Sequence, residues 1–161
     1  MGNNTQSRKW ALVINNPLEA GLDHSAITKI LQKFAPAYYC MADETATTGT
    51  YHTHIFLYAP SPIHFTTIKN RFPTARIEKA YGSVRDNRAY IRKEGKWADT
   101  DKAETTVPGT FQEWGDLPAE QWERPETWRA FLRRIHSVVE SPPDGSTVTH
   151  KKGEAFPMTR T

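Results

Sequence analysis

One cysteine, Cys40, is all that 161 residues carry, so an internal disulfide is excluded and no thiolate cluster can hold a structural zinc. Any metal must rest on histidine and carboxylate ligands. Long hydrophobic runs are also missing. No apolar stretch approaches the roughly 20 residues that span a bilayer, and the polar N-terminus, Met1 to Lys9, lacks the hydrophobic centre of a signal peptide. A soluble, intracellular protein with no membrane partner is therefore expected. No Gly-x-x-x-x-Gly-Lys-Ser/Thr phosphate loop occurs, so ATP use is not predicted. At 37 % hydrophobic residues, the chain can bury one ordinary core but not two large ones, which predicts one domain with appendages.

What charge there is lies unevenly. The formal net charge is only +3, but Lys69 to Trp97 holds nine Lys or Arg against three acids, and Asp99 to Trp128 holds eight acids against two bases. The basic half is where a polyanion would bind, and such binding would be salt-sensitive. A solvated face without a partner is the alternative.

Taken in order, residues 1–8 are polar and read as disordered. Lys9 to Ile14 alternates as a strand and stops at Asn15-Asn16-Pro17, where turn formers and proline end the ladder. Asp23 or Ser25 can cap a helix with Ile27, Ile30, Leu31 and Phe34 on one side. Tyr38 to Asp43 reads as a second strand and Gly49 to Tyr58 as a third, joined by a polar turn into a hairpin. A short helix over Phe65 to Phe72, a strand over Ala75 to Ala80, a helix from Gly82-Ser83 to Gly95 and a strand near Lys96 to Ala98 complete the pattern. The order predicts an α+β fold, a largely antiparallel five-stranded sheet with helices packed on one face. Residues 105–114 read as loop. Pro125 begins an amphipathic helix whose stripe of Trp128, Phe131, Leu132, Ile135 and Val138 packs back onto the domain or meets a partner. From Ser141 onward the chain reads as linker or tail.

Two constellations carry chemistry. His52 and His54 sit two apart on a strand, so alternation puts both imidazoles on one face. A hairpin brings Glu44 to the same end of the sheet, and two imidazoles with a carboxylate make an open site for a divalent cation. His24, His64 and His136 lack such paired spacing and read as surface or capping residues. On the helix, Tyr90 and Lys93 lie three apart, so an ammonium sits beside a phenol and favours its phenolate, a nucleophile for phosphorus. Asn87 falls on that same face, placed to hold a phosphate or the tyrosine.

In this order and spacing, Asn15-Asn16-Pro17, Glu44, His52-Thr53-His54, Gly82-Ser83 and Tyr90-x-x-Lys93 resemble the HUH endonuclease domain of replication initiators, the Rep proteins of circular single-stranded DNA viruses and related plasmids. The likeness covers about residues 8 to 115, and the stretch from Gly109 to Gly115 looks like the segment that follows the nuclease domain in circovirus-like Reps. The resemblance implies a nuclease domain over 9–116, a helical extension over 117–140 and a tail over 141–161. It also implies that Glu44, His52 and His54 hold Mn²⁺ or Mg²⁺, that Tyr90 is the nucleophile with Lys93 its neighbour, and that Asn15 and Asn16 contact DNA. Departures are Thr53, where a bulky hydrophobe is usual between the histidines, and Leu12-Val13 in place of Phe-Thr.

The activity so implied is nicking and rejoining of single-stranded origin DNA, at a hairpin loop, through a 5′-phosphotyrosine. The freed 3′-hydroxyl would serve a host DNA polymerase downstream in rolling-circle replication, in the host nucleus for a virus of eukaryotes or the cytoplasm for a bacterial plasmid. Arg76, Lys79, Arg85, Asn87 and Arg88 are further candidates for DNA contact, Trp10 and Tyr51 for base stacking, and the C-terminal helix for oligomerisation. Two other readings stand beside this one. A non-catalytic single-stranded nucleic-acid-binding module could share the strand and helix order, being RRM-like. A 2-His-1-carboxylate iron oxygenase would share ligand types but needs an all-β barrel.

Overall fold

Strand β1 (Gln6–Asn15) organises the molecule because it is apolar on both sides. Trp10, Leu12 and Ile14 enter one hydrophobic cluster, while Ala11 and Val13 enter another. Both faces must then be covered. The computed structural model describes residues 5–100, 105–119 and 125–140. β1 begins within the segment read as disordered, and the tail from 141 on lies outside the described residues.

The remaining elements run in the order α1 (His24–Gln32), β2 (Tyr38–Thr45), β3 (Tyr51–His64), α2 (Phe65–Arg71), β4 (Arg76–Lys79), α3 (Val84–Arg92), β5 (Gln112–Gly115) and α4 (Pro125–Glu140). The sheet has five strands in the order β4-β1-β3-β2-β5, every pairing antiparallel. This is the expected α+β fold, with two corrections. Helices lie on both faces instead of one: Ile27 and Leu31 of α1 and Ile68 of α2 join the Trp10 cluster, whereas Val84 and Ile91 of α3 and Phe131, Leu132 and Ile135 of α4 join the Val13 cluster. The fifth strand is also elsewhere. Gly95–Trp97 forms a 3-10 turn that buries Trp97, and the edge strand comes from the acidic stretch read as loop, pairing Gln112 to Gly115 with Met41 to Tyr38.

Local chemistry explains the element ends. The Asp23 side chain accepts from the Ala26 N–H at 2.8 Å to start α1. Ser83 and Asp86 form a reciprocal capping box at the start of α3, a device worth about 1 kcal/mol. β3 runs on past Tyr58 through Pro60 and Pro62, which carry no N–H to pair. The ladder tolerates them because its register slips there, between Ser7 and Lys9 of β1. The β2–β3 turn closes with Ala46 N–H to Thr50 C=O at 2.9 Å and Gly49 N–H to Ala46 C=O at 2.8 Å, with Gly49 at φ 90°. That backbone value suits glycine.

Candidate active site

The β2–β3 register places Glu44 opposite His52 and Ala42 opposite His54; β1 adds Asn15 opposite His52 and Val13 opposite His54. Directly opposed residues share a sheet face. Glu44, His52 and His54 therefore converge, each offering one ligand atom within 4.8 Å of the others, and all three are buried. His52 Nδ1 lies 3.2 Å from the Thr50 carbonyl. Donation there leaves the lone pair on Nε2, which is buried and has no hydrogen-bond partner. An orphaned acceptor of this kind is costly unless something electrophilic meets it. The two imidazoles stand edge to face with centroids 4.8 Å apart.

Electrostatics prepare the same atoms. Burial, outweighing the nearby Glu44 charge, pushes the His54 pKa down to about 3, and His52, Lys93 and His136 push the same way. His54 is thus neutral at pH 7, as a metal ligand must be. Burial opposes ionisation of Glu44, but the Lys93 ammonium paired with it at 2.7 Å holds its carboxyl well below the ordinary range. Two imidazoles and one carboxylate fit a divalent cation, and the orphaned His52 Nε2 is the observation that fits it best.

The covering helix α3 brings Tyr90 over this cluster. Its ring is buried, edge-on to His54 at 6.1 Å between centroids and to Trp97 at 5.0 Å. Lys93 caps α3 in the left-handed region at φ 60°, a conformation costing a non-glycine residue about 1–2 kcal/mol. Its side chain folds back so that Nζ donates to the Tyr90 carbonyl at 2.9 Å, sits 4.0 Å from the Tyr90 ring centroid and pairs with Glu44 Oε2 at 2.7 Å. Pattern reasoning missed that ion pair. Spacing along a helix finds neighbours on the helix; it does not find a carboxylate on a distant strand.

The DNA-contact candidates scatter. Asn15 is exposed beside the cluster. Asn16 is held at φ 49° with its N–H donating to the Tyr51 carbonyl at 2.7 Å. Asn87 is buried and donates through Nδ2 to the carbonyls of Tyr81 and Ser83, so that amide holds the α3 entry and does not point a donor at the cluster. Arg88 pairs with Glu113 at 2.8 Å and Glu94 at 3.1 Å, tying α3 to the edge strand. Arg76, half-exposed, pairs with Glu78 and lies opposite Val13. Lys79 lies opposite Trp10 and so belongs to the other face, and Arg85 is exposed. Trp10 is fully buried, its indole donating to the Ser7 and Ile63 carbonyls, and Tyr51 donates its hydroxyl to Asp43. Trp10 is therefore not the open stacking surface expected of it, whereas the Tyr51 ring is only half-buried.

The apolar stripe of α4 packs back onto the domain, the first of the two outcomes its sequence allowed, and it does so beside the site. Phe131, Leu132 and Ile135 share a cluster with Tyr90 and Trp97, Phe131 meets the Tyr81 ring at 6.3 Å, and Arg134 pairs with Glu78 at 3.1 Å. These three apolar side chains are buried within the chain. No helix of the described residues is long and apolar enough to cross a membrane.

Sheet and cluster together define a class: an α+β domain with a two-histidine, one-carboxylate centre lying under a tyrosine-bearing helix. Within that class the relationship is specific, because the family of viral replication proteins matches residues 7–94 and the chain belongs to it. Over 89 residues the sequence is 32 % identical to the replication-associated protein of pigeon circovirus, a stretch covering 55 % of this chain and 27 % of that protein's length. The domain is a circovirus-like Rep domain.

Proposed function

We propose that this chain initiates replication by nicking and rejoining single-stranded origin DNA, with Tyr90 as nucleophile and Glu44, His52 and His54 as the metal-binding set. The observation that carries the reading is the Tyr90 ring packed edge-on to His54, itself one of three buried ligands within reach of one ion. A bound Mn²⁺ or Mg²⁺ would supply Lewis-acid polarisation of a non-bridging phosphate oxygen. Tyr90 Oη, losing its proton, forms a bond to phosphorus as the bond to the 3′-oxygen breaks; that oxygen leaves as a 3′-hydroxyl and the 5′-phosphate stays on the tyrosine. Attack by a 3′-hydroxyl on the phosphotyrosine reverses the step and rejoins the strand. Lys93 holds the Glu44 carboxylate in place and lays positive charge against the Tyr90 ring.

The freed 3′-hydroxyl would prime a host polymerase in rolling-circle replication, which for a virus of eukaryotes takes place in the nucleus. Asn15, beside the cluster, is the DNA-contact candidate best placed for the strand. A non-catalytic binding module of RRM type is less favoured. Such modules need an open aromatic sheet face, and here Trp10, Tyr38 and Phe56 are buried beneath helices.

The test is to incubate the protein with Mn²⁺ and a labelled single-stranded oligonucleotide carrying a hairpin with a randomised loop, then separate products under denaturing conditions. A covalent adduct is expected, lost in Tyr90→Phe while DNA binding is retained. An adduct that persists in Tyr90→Phe would remove Tyr90 from the role assigned to it.

A further inference from the structure

Behind the ligand cluster, on the opposite face of the same two strands, lies a second set of polar side chains that the chemistry above does not use. Asp43 precedes Glu44 on β2 and is paired in register with Thr53, the residue between the two histidines on β3. Both are buried. Asp43 Oδ1 accepts from Thr53 Oγ1 at 2.7 Å and lies 2.8 Å from His24 Nε2, while Oδ2 accepts from the Tyr51 hydroxyl at 2.6 Å. The Asp43 backbone is held as well, its N–H donating to Thr110 Oγ1 at 2.9 Å and its carbonyl accepting from the Val107 N–H at 2.9 Å.

The placement has a geometric consequence. In a strand, neighbouring side chains take opposite faces, so the Asp43–Thr53 pair lies between the Glu44–His52 pair and the Ala42–His54 pair and grips the hairpin from behind. A buried carboxylate is tolerated only when its lone pairs are met, and here three donors from β3 and α1 meet them. Those donors can do so in one register and one strand spacing. Were β2 to slide or twist against β3, Asp43 would lose its bonds and the three ligand atoms would separate together.

We propose that Asp43, acting through Thr53 with His24 and Tyr51, is a positioning residue that sets the spacing of the Glu44, His52 and His54 ligand atoms from the far side of the sheet. The proposal rests on the metal-binding reading of those three residues. It also gives Thr53 a reason to be threonine. The hydroxyl that replaces a bulky hydrophobe is the group that reaches Asp43. The carboxylate at 43 and the hydroxyl at 53 are one device: without Asp43 the buried Thr53 hydroxyl would lose its partner, and without that hydroxyl Asp43 would lose one of its three donors.

The test measures Mn²⁺ affinity by calorimetry, and thermal unfolding with metal chelated, on the full chain and on Thr53→Val, Thr53→Ser, Asp43→Asn and Tyr51→Phe. Residues that orient metal ligands typically change metal affinity about 10-fold to 100-fold when altered. Thr53→Val, nearly the same shape, is expected to bind Mn²⁺ at least ~10-fold more weakly, with Asp43→Asn similar and Thr53→Ser close to the unaltered protein. Tyr51→Phe removes one bond at a half-buried ring without disturbing the fold, and is expected to weaken binding by a smaller factor. A merely structural role would lower the unfolding temperature and leave affinity per folded molecule unchanged. Should Thr53→Val not fold, Tyr51→Phe decides alone. Unchanged Mn²⁺ affinity in the folded variants overturns the proposal and leaves the metal site standing. No Mn²⁺ binding by the unaltered chain overturns the metal reading, and this proposal with it.

Discussion

Replacing Lys93 by methionine keeps the length of the side chain and removes its charge. Lys93 and Glu44 are paired at 2.7 Å with side chains 3 % and 7 % exposed, so solvent cannot take over the interaction. Breaking a buried pair by deleting one partner costs roughly 3–5 kcal/mol, mostly because the remaining charge is stranded. For a chain of this size each kcal/mol moves the melting midpoint by about 2–4 °C, so the metal-free variant is expected to melt ~10 °C lower. The Glu44 carboxyl, held well below its ordinary pKa partly by Lys93, contributes stability above its unfolded pKa that is lost as pH falls through the folded value. With Lys93 gone, that loss begins at higher pH. A divalent cation gives Glu44 another counter-charge, and a ligand at 100 times its Kd adds about 2.7 kcal/mol. Manganese is therefore expected to recover a larger part of the midpoint in Lys93→Met than it adds to the unaltered protein. Thermal scans with EDTA and with Mn²⁺ at pH 7 make the measurement. A metal-free Lys93→Met that melts with the unaltered protein would refute the view that Glu44 needs this partner.

The remaining expectations concern pH, the sheet edge and α4. His54 has its folded pKa lowered to about 3, so the unfolded chain takes up a proton that the fold refuses. Stability should fall as pH drops from about 6.5 toward 3, by at most ~1.4 kcal/mol per pH unit from this group, and His54→Gln should flatten that slope in melts taken between pH 7 and 5. At Gly115, with φ at 91°, a Cβ would lie 2.1 Å from the Ala37 carbonyl oxygen. Gly115→Ala is accordingly expected to cost about 1–3 kcal/mol and to speed proteolysis near β5. Leu132 is fully buried against the site face, and Leu132→Ala should cost about 2–5 kcal/mol in chemical denaturation. A change below ~0.5 kcal/mol, the range of surface substitutions, would place that side chain in solvent.

How much could be read beforehand varied with the range of the interaction involved. The first strand, the α1 cap at Asp23 and the α3 entry at Ser83 were legible because each depends on residues a few positions apart. The hairpin could also be foreseen, and from it the meeting of Glu44 with His52 and His54, since a turn between two strands fixes a register. Weaker local signals misled. Lys96 to Ala98 looked extended but turns after Gly95, and Gln112 to Gly115 looked like loop because an exposed edge strand carries no alternation of apolar and polar residues. Arg88 and Asn87 had the chemistry for phosphate, yet their donors go to Glu113, Glu94 and backbone carbonyls.

From the sequence by itself come the strand that carries two imidazoles on one face, the helix that carries Tyr90, and the order of motifs that marks the family. The first two follow from periods of two and 3.6 residues, which a stretch of chain displays in its own residues, while the third is a resemblance in the order and spacing of motifs. Folding in three dimensions decided the rest: which face each helix covers, that Lys93 reaches Glu44, that Asp43 is gripped by Thr53, Tyr51 and His24, and that α4 lies near the cluster. Each of those contacts joins partners on different elements. They depend on how burial of both faces of one sheet arranges the helices, and no local pattern encodes that arrangement.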